Sequence, residues 1–188
     1  MIHLVRHGRT EANAQGRLQG RIDLPIDELG SAQAAALVAA LPHVDRVISS
    51  PSLRARQTAA VLGVQPELDD RWLEMDYGEF DGVVMAELPP DLFRRWMTDA
   101  DFAPAGGESL RTLASRVHAA CEELLEAARD QEIVVVTHAT PIKAAMAWAL
   151  GVDIDIVWRS HVDQASITSV MVRGQRPALA SFNVVPRP

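Results

Sequence analysis

The sequence has almost no cysteine and no long apolar run. Cys121 is the only cysteine among 188 residues, which excludes a disulfide framework or a cysteine metal cage within one chain. No uninterrupted apolar segment approaches the roughly 20 residues of a membrane-spanning helix. The first residues, MIHLVRHG, also lack the basic start and apolar core of a secretory signal. These absences predict a cytoplasmic protein without a membrane partner.

Positive charge is also in short supply. Lys143 is the only lysine, and 25 Asp and Glu outnumber 18 Lys and Arg, giving a formal net charge of -7. Nucleic-acid binding depends on an excess of clustered basic residues, so we expect no nucleic-acid partner. A small anion is not excluded, because nearby arginines determine the local field more than the total charge does.

The remaining composition is that of an ordinary globular chain. Hydrophobic residues make up 48% and charged residues 23%, which fits neither a disordered chain nor a membrane protein. No repeat, low-complexity tract or linker interrupts the sequence. We therefore expect one domain over residues 1–188.

The hydrophobic pattern predicts strands that alternate with helices. Strands are predicted at 2–5, 46–49 and 133–137, a strand-loop unit at 67–73, helices at 32–41, 53–62, 109–129 and 141–150, and an antiparallel strand pair at 166–172 and 179–185. Pro42 is predicted to end the helix 32–41, and Ser52 and Ser109 are predicted to cap the starts of the next two helices. Residues 10–27 are predicted to form a long ordered loop. This order indicates an α/β fold, a three-layer α/β/α sandwich with a mostly parallel central sheet and antiparallel C-terminal strands.

Two histidines follow apolar strands directly. His7 comes after the first strand and His138 after the run 133–137. Since ligands of such folds bind at the carboxyl ends of parallel strands, we expect the two side chains to meet there. A helix beginning at Pro141 would add free backbone N–H groups and the positive end of its dipole, which favours an anion such as phosphate.

Two arginines complete this predicted phosphate site. Arg6 adjoins His7, and Arg54 lies in the first turn of the helix that follows strand 46–49. Arginine presents a planar fork that binds two phosphate oxygens at once. Their positive charges are also expected to keep His7 neutral, the state that a nucleophilic imidazole requires.

Five ordered motifs resemble the successive signatures of the histidine phosphatase superfamily, which includes the cofactor-dependent phosphoglycerate mutases. These are LVRHGRTEAN, SSPSLRARQTA, LEMDYGEFDG, the GGES at 106–109 and VVVTHATPI, running from residue 2 to about 142, with SIT at 166–168 also fitting. The resemblance implies a phosphoglycerate mutase-like fold for nearly the whole chain.

The resemblance also implies roles for individual residues. His7 corresponds to the phosphorylated nucleophile, while Arg6, Arg54 and His138 form the phosphate pocket and Asn13 contacts phosphate. Each role follows from the position of the residue within its motif.

Glu74 matches the family's general acid, which protonates the leaving oxygen and later deprotonates water. Asp76 and Glu79 lie in the same stretch and remain alternatives, because the position of the acid varies among branches of the family. Glu74 and Asp76 lack any fitting metal motif, so we expect no metal. Ala139 stands where the family usually has glycine; it keeps the backbone donor but restricts the backbone dihedrals.

The leaving-group pocket is expected to be formed by the loops 16–25 and 83–105. In the first loop, Gln19 and Gly20 are expected to contact the substrate. Further candidates for this pocket are Arg17, Arg21, Phe93 and Trp96, with His161 at its rim.

These residues favour a phosphomonoester hydrolase that acts without a cofactor on a small phosphorylated metabolite, such as a sugar phosphate or a sugar-acid phosphate. A phosphoglycerate mutase-type phosphotransferase is the first alternative, although only the short segment 83–105 stands where the mutases carry a longer one. A catalytically idle phosphate-binding domain is the second. Oligomeric state is left open between a monomer and a homodimer.

Overall fold

The structure, a computed structural model, describes residues 1–41 and 43–186. Its strands are β1 (Ile2–Arg6), β2 (Arg46–Ser49), β3 (Glu67–Leu68), β4 (Ile133–Thr137), β5 (Ile167–Arg173) and β6 (Arg176–Val184). Its α-helices are α1 (Glu11–Ala14), α2 (Glu28–Ala40), α3 (Leu53–Ala60), α4 (Pro90–Thr98), α5 (Leu110–Leu124) and α6 (Ala139–Leu150). Short 3₁₀ helices lie at Asp70–Trp72, Gly78–Phe80, Met85–Glu87, Ala127–Arg129 and Ile154–Arg159.

The six strands form one mixed sheet in the order β3-β2-β4-β1-β5-β6. The strands β3, β2, β4 and β1 run parallel to one another, while β5 pairs antiparallel with both β1 and β6. This arrangement confirms the predicted sheet. The central strand β4 is buried along its whole length, as its continuous β-branched sequence predicts.

Helices cover both faces of the sheet. On one face, Leu4 and Val135 pack with residues of α5 and α6, including Leu113 and Ile142. On the other, the alternate strand residues pack with α2 and α3 in a second cluster that contains Val5, Leu37, Val47, Ala55 and Val136. Because successive strand residues point to opposite faces, β1, β2 and β4 each contribute to both cores. The three-layer sandwich is confirmed.

Several element boundaries differ from the predictions. Helix α2 begins at Glu28 rather than 32, because the Asp27 side chain accepts a hydrogen bond from the Gly30 amide and caps the helix earlier. It ends at Ala40, and Pro42, its predicted stop, lies outside the described residues. In the strand-loop unit predicted at 67–73, β3 covers Glu67–Leu68 and a 3₁₀ turn capped by Asp69 follows at once.

The loop 10–27 contains a short helix that the sequence reading missed. Thr10 and Asn13 form a reciprocal capping box around α1, each side chain bonding the other's backbone amide. Helix α5 ends at Leu124, short of the predicted 129, and Ser109 caps its start as predicted. The turn between β5 and β6 lies at 174–175, one residue later than predicted.

The loop after β1 passes directly against α2. A Cβ atom on Gly8 would overlap the backbone of Gly30, and one on Gly30 would overlap the backbone of Arg9. The amide of Gly8 donates to Thr58 Oγ1 at 3.0 Å. Glycine after His7 therefore permits the close approach that fixes this loop. Across the described residues, no helix combines the length and apolarity needed to cross a bilayer.

Candidate active site

The two predicted histidines meet at the carboxyl ends of neighbouring parallel strands. Arg6 of β1 pairs with Thr137 of β4, and the His7 amide donates to the Thr137 carbonyl at 2.9 Å. The ring centroids of His7 and His138 are 5.1 Å apart with an interplanar angle of 63°. Residues 131 positions apart are thus in contact, as expected from their positions at two strand ends.

Hydrogen bonding determines which nitrogen of His7 is free. Nδ1 lies 2.8 Å from the Gly8 carbonyl oxygen, which can only accept, so Nδ1 carries the proton in the neutral ring. The Nε2 lone pair is therefore available. Burial lowers the pKa of His7 well below 6.5, and the charges of Arg54 and Arg6 lower it further. The arginine charges alone were predicted to keep His7 neutral, but burial lowers its pKa more than they do.

His138 is fully buried and bonded on both nitrogens. Its Nδ1 accepts from Arg54 Nε at 3.2 Å, so the ring proton lies on Nε2, which donates to Ser50 Oγ at 2.8 Å. Ser52 Oγ also lies 3.2 Å from Nε2. Ser52 does not cap α3 with its side chain as predicted, because its hydroxyl faces His138 and Ser50.

Arg54 is fully buried and held by neutral acceptors. Nη1 donates to the Ile22 carbonyl at 2.9 Å, and Nη2 donates to the carbonyls of Gln19 at 3.1 Å and Gly20 at 2.9 Å. Together with the bond to His138, four of the five N–H donors of the guanidinium are used. One N–H on Nη1 remains. Burial lowers the pKa of Arg54, a cost that nearby carboxylates offset only in part.

Arg6 keeps an unused donor. Nη1 donates to the Val162 carbonyl at 2.5 Å, while Nε is buried without a hydrogen-bond partner among the described residues. An unpaired buried donor on a cation is costly unless a ligand satisfies it. Ala165 supports this segment: its φ is 53°, and its amide donates to the Arg6 and His7 carbonyls at 3.0 and 3.2 Å.

Glu74 is buried, and backbone groups hold its carboxylate. Oε1 accepts from the Met75 amide at 2.8 Å, and Oε2 lies 3.4 Å from the Thr140 amide in the first turn of α6. Helix α6 begins at Ala139 rather than at Pro141, so the carboxylate of Glu74 occupies part of the predicted anion site at this N-terminus. Ala139 has an ordinary helical backbone there, which an alanine adopts without strain.

The two alternative acids are engaged elsewhere. Asp76 accepts from the Gly78 amide at 3.0 Å and pairs with Arg21 at 3.1 Å. Glu79 Oε1 lies 3.3 Å from the Ala105 amide. Glu74 therefore stands apart from both as the acid directed toward His7's cavity.

Glu108 of the GGES segment takes part in hydrogen bonds that fix the backbone around Glu74. Glu108 pairs with Arg116 at 2.6 Å and accepts from the Asp76 amide at 3.0 Å. Arg116 in turn donates to the carbonyls of Leu73 at 2.8 Å and Glu74 at 3.2 Å. These bonds fix the backbone on both sides of Glu74.

An open cavity of about 200 Å³ lies beside His7. Eight predicted residues line it: Arg6, His7, Asn13, Gln19, Glu74 and Ala139, and the leaving-group candidates Arg17 and His161. Arg54 and His138 contact each other behind this wall, fully buried, and their direct contact with a bound phosphate stays a prediction. Glu74 is the one carboxylate among the described residues that line the cavity.

The remaining predicted binding residues differ in what they face. Asn13 lines the cavity, and its Oδ1 accepts from the Thr10 amide at 3.2 Å. Gln19 accepts from the Thr10 hydroxyl at 2.6 Å. The Gly20 amide donates to Asp81 at 2.7 Å, and the Gly20 carbonyl accepts from Arg54. Both backbone groups are therefore engaged within the protein.

A wider outer cavity of about 790 Å³ opens from the inner one. Arg17, Phe93 and His161 line it, from the segments expected to form the leaving-group pocket. The other two candidates do not line it. Trp96 is buried and lines a side pocket, and Arg21 pairs with Asp76.

Tyr77 and Lys143 line the inner cavity and were missed in the sequence. Burial raises the pKa of the Tyr77 hydroxyl, so it is neutral. Lys143 follows Ala139 by four residues on α6, a spacing that places both on one helix face and was available in the sequence. Within the described part of the chain, no three His, Cys, Asp or Glu side chains converge as metal ligands would.

Fold and site together define an α/β protein of phosphoglycerate mutase-like architecture, with paired histidines and arginines at the carboxyl edge of its parallel strands. The family profile described as the histidine phosphatase superfamily (branch 1) matches residues 2–185. The chain belongs to this superfamily.

Sequence relatives have phosphatase names. The chain is 34% identical to phosphoserine phosphatase 1 of Hydrogenobacter thermophilus over 96% of its own length and 90% of that protein. It is 36% identical to the glucosyl-3-phosphoglycerate phosphatase of Mycolicibacterium vanbaalenii, covering 81% and 75%. It spans 48% of a Mycobacterium tuberculosis protein named as bifunctional, at 34% identity over 88% of this chain.

Solved structures share the fold over nearly the whole chain. A mycobacterial glucosyl-3-phosphoglycerate phosphatase in complex with VO3 matches with a TM-score of 0.87 and 30% identity, covering 97% of this chain and 98% of that one. A phosphoserine phosphatase of Entamoeba histolytica in complex with phosphoserine matches with a TM-score of 0.88 and 26% identity, covering 97% and 95%.

Proposed function

We propose that the protein is a phosphomonoester hydrolase that forms a phosphohistidine on His7 and acts on a small phosphorylated metabolite. The observation that carries this proposal is the state of His7: Nδ1 donates to the Gly8 carbonyl, which leaves the Nε2 lone pair free beside two buried cations. Phosphoserine and glucosyl-3-phosphoglycerate, the substrates in the names of the relatives, belong to this class.

The reaction has two steps. In the first, His7 Nε2 attacks phosphorus, the Nε2–P bond forms, and the bond from phosphorus to the leaving oxygen breaks as Glu74, entering in its protonated form, gives that oxygen its proton and becomes a carboxylate. In the second, water attacks the phosphohistidine, Glu74 takes a proton from the water, and the Nε2–P bond breaks to release inorganic phosphate. No cofactor enters either step.

The site arginines stabilise the transferred group. Arg6 has a buried donor without a protein partner, and Arg54 keeps one N–H on Nη1. Positioned cations supply most of the catalysis in phosphoryl transfer, because negative charge on the phosphoryl oxygens must be compensated. His138 orients Arg54 through its Nδ1, and Asn13 and Ala139 line the same cavity.

Single-turnover phosphorylation with a generic aryl phosphate tests this function. We expect an acid-labile phosphate that maps to His7, decays to inorganic phosphate and does not form on His7→Ala. Equal turnover by wild type and His7→Ala contradicts the proposal. A phosphoenzyme that persists until a phosphoglycerate acceptor is added favours the mutase, and no turnover between pH 5 and 8 favours an idle phosphate-binding domain.

We further propose a cytoplasmic enzyme without nucleic-acid or membrane partners. Light scattering after size-exclusion chromatography distinguishes a monomer from the homodimer that remains its alternative.

A further inference from the structure

Lys143 lines both the cavity beside His7 and a small apolar side pocket next to it. This pocket of about 150 Å³ adjoins the cavity beside His7. Its walls include the apolar side chains of Leu18, Met85, Phe93 and Trp158. Lys143 is its only charged lining residue among the described residues, and lines the inner cavity too.

The ammonium of Lys143 has no carboxylate partner. Nζ donates to the Val157 carbonyl at 2.8 Å, and none of the ion pairs in the described chain includes Lys143. The side chain is half-buried, and burial lowers its pKa, while Glu74 opposes this effect from a distance. Two of the three N–H donors of the ammonium remain for a ligand.

A partly desolvated cation without a counter-ion is costly unless the ligand brings the anion. In the proposed function, Arg6 and Arg54 beside His7 compensate the charge of the phosphoryl group. Lys143 is therefore left to a second negative group, on the part of the substrate that leaves. One ammonium, with one donor already used by Val157, matches a monoanion better than a second phosphate, which would require more positive charge.

We propose that Lys143 binds a carboxylate on the leaving group, so that the enzyme selects phosphorylated hydroxy or amino acids. This inference rests on the proposed function, because it concerns the same cavity. The apolar walls of the side pocket then contact the carbon skeleton, and Val157 holds the ammonium in place.

Two matched substrate pairs test this role. O-phosphoserine and O-phosphoethanolamine differ only by a carboxylate, and 3-phosphoglycerate differs from glycerol 3-phosphate by a carboxylate in place of a hydroxymethyl group. We expect wild type to prefer the carboxylate member of each pair in kcat/KM. In Lys143→Met this preference falls about 10- to 100-fold, the value of a charge-assisted hydrogen bond.

Controls separate binding of the carboxylate from a general effect. Lys143→Arg keeps the charge and is expected to retain part of the preference, while Arg56→Met removes an exposed cation distant from the cavity and leaves the preference intact. Equal losses on both members of each pair in Lys143→Met overturn the proposal, as does a wild-type preference near one or a larger preference for a bisphosphate. Phosphohistidine formation on His7 from an aryl phosphate tests the function itself separately.

Discussion

Charged side chains are held in opposite ways at the site and at the far edge of the sheet. At the edge, Arg71 pairs with Asp69 at 2.8 Å and Glu123 at 2.7 Å. Hydrogen bonds that Arg71 donates to Glu123 and then to Asp69 raise its pKa. At the site, Arg54 is bound by carbonyls and a histidine, and burial lowers its pKa.

The same contrast holds for the acids. Glu123 gives both its oxygens to Arg71, whereas Glu74 is held by the backbone amides of Met75 and Thr140. Neutral dipoles fix the position of a charge without cancelling it. Charges that must meet a substrate are therefore available at the site, while those at the edge are already compensated.

The largest effect is expected from removing a site arginine. Arg6→Met should lower kcat/KM by about 10³-fold, because one preorganised cation on a transferring phosphoryl group contributes on this scale. Steady-state kinetics with an aryl phosphate measures it. Arg71→Met is the matched control, expected within twofold of wild type; a comparable loss there would break the contrast between the two regions.

Glu74→Gln should lower kcat about 10²-fold for an alkyl phosphate but less than 10-fold for an aryl phosphate. An aryl oxide leaves without a proton, whereas an alkoxide needs one from the general acid. Comparison of kcat for the two esters measures the difference. Asp76→Asn is the control, since Asp76 pairs with Arg21; a selective loss there instead would move the acid role to Asp76.

A carboxylate introduced into the site should compensate the charge of the site arginines, as Asp69 and Glu123 compensate the charge of Arg71. Asn13 lines the cavity with Arg6, so Asn13→Asp is expected to raise the inhibition constant of inorganic phosphate about 10-fold through repulsion between like charges. Competitive inhibition assays measure this constant. Gln65→Glu, an exposed change elsewhere on the surface, should leave it unchanged, and equal inhibition of Asn13→Asp and wild type would contradict the effect.

The buried histidines should make stability depend on pH. Burial and nearby cations lower the pKa values of His7 and His138 well below 6.5, so below pH 6.5 the unfolded chain takes up protons that the folded chain excludes. The free energy of unfolding should fall as pH drops from about 6.5 toward the folded pKa values, by up to about 1.4 kcal/mol per pH unit for each histidine.

Urea unfolding at pH 7, 6 and 5 measures this dependence. His138→Gln should reduce its slope between pH 6 and 5 by about 1 kcal/mol per unit, while His43→Gln removes an exposed histidine and should not change it. Identical slopes for His138→Gln and wild type would exclude a lowered pKa at His138.

The accuracy of the sequence predictions follows the range of the interactions. Strands β2 and β4 have the predicted bounds, because short apolar and β-branched runs encode a buried strand locally. The predicted start of α2 was wrong, since the side chain of Asp27 sets this boundary through a capping bond.

By itself, the sequence determined the family, the parallel sheet and the meeting of His7 with His138, because these follow from motifs and strand ends. Only the tertiary structure decided which charges remain available. The carbonyls of the loop around Gly20 take most of the donors of Arg54, and amides from two segments hold Glu74. The spacing of Lys143 from Ala139 is visible in the sequence, but the packing of α6 beside β1 decides that this helix face lines the cavity.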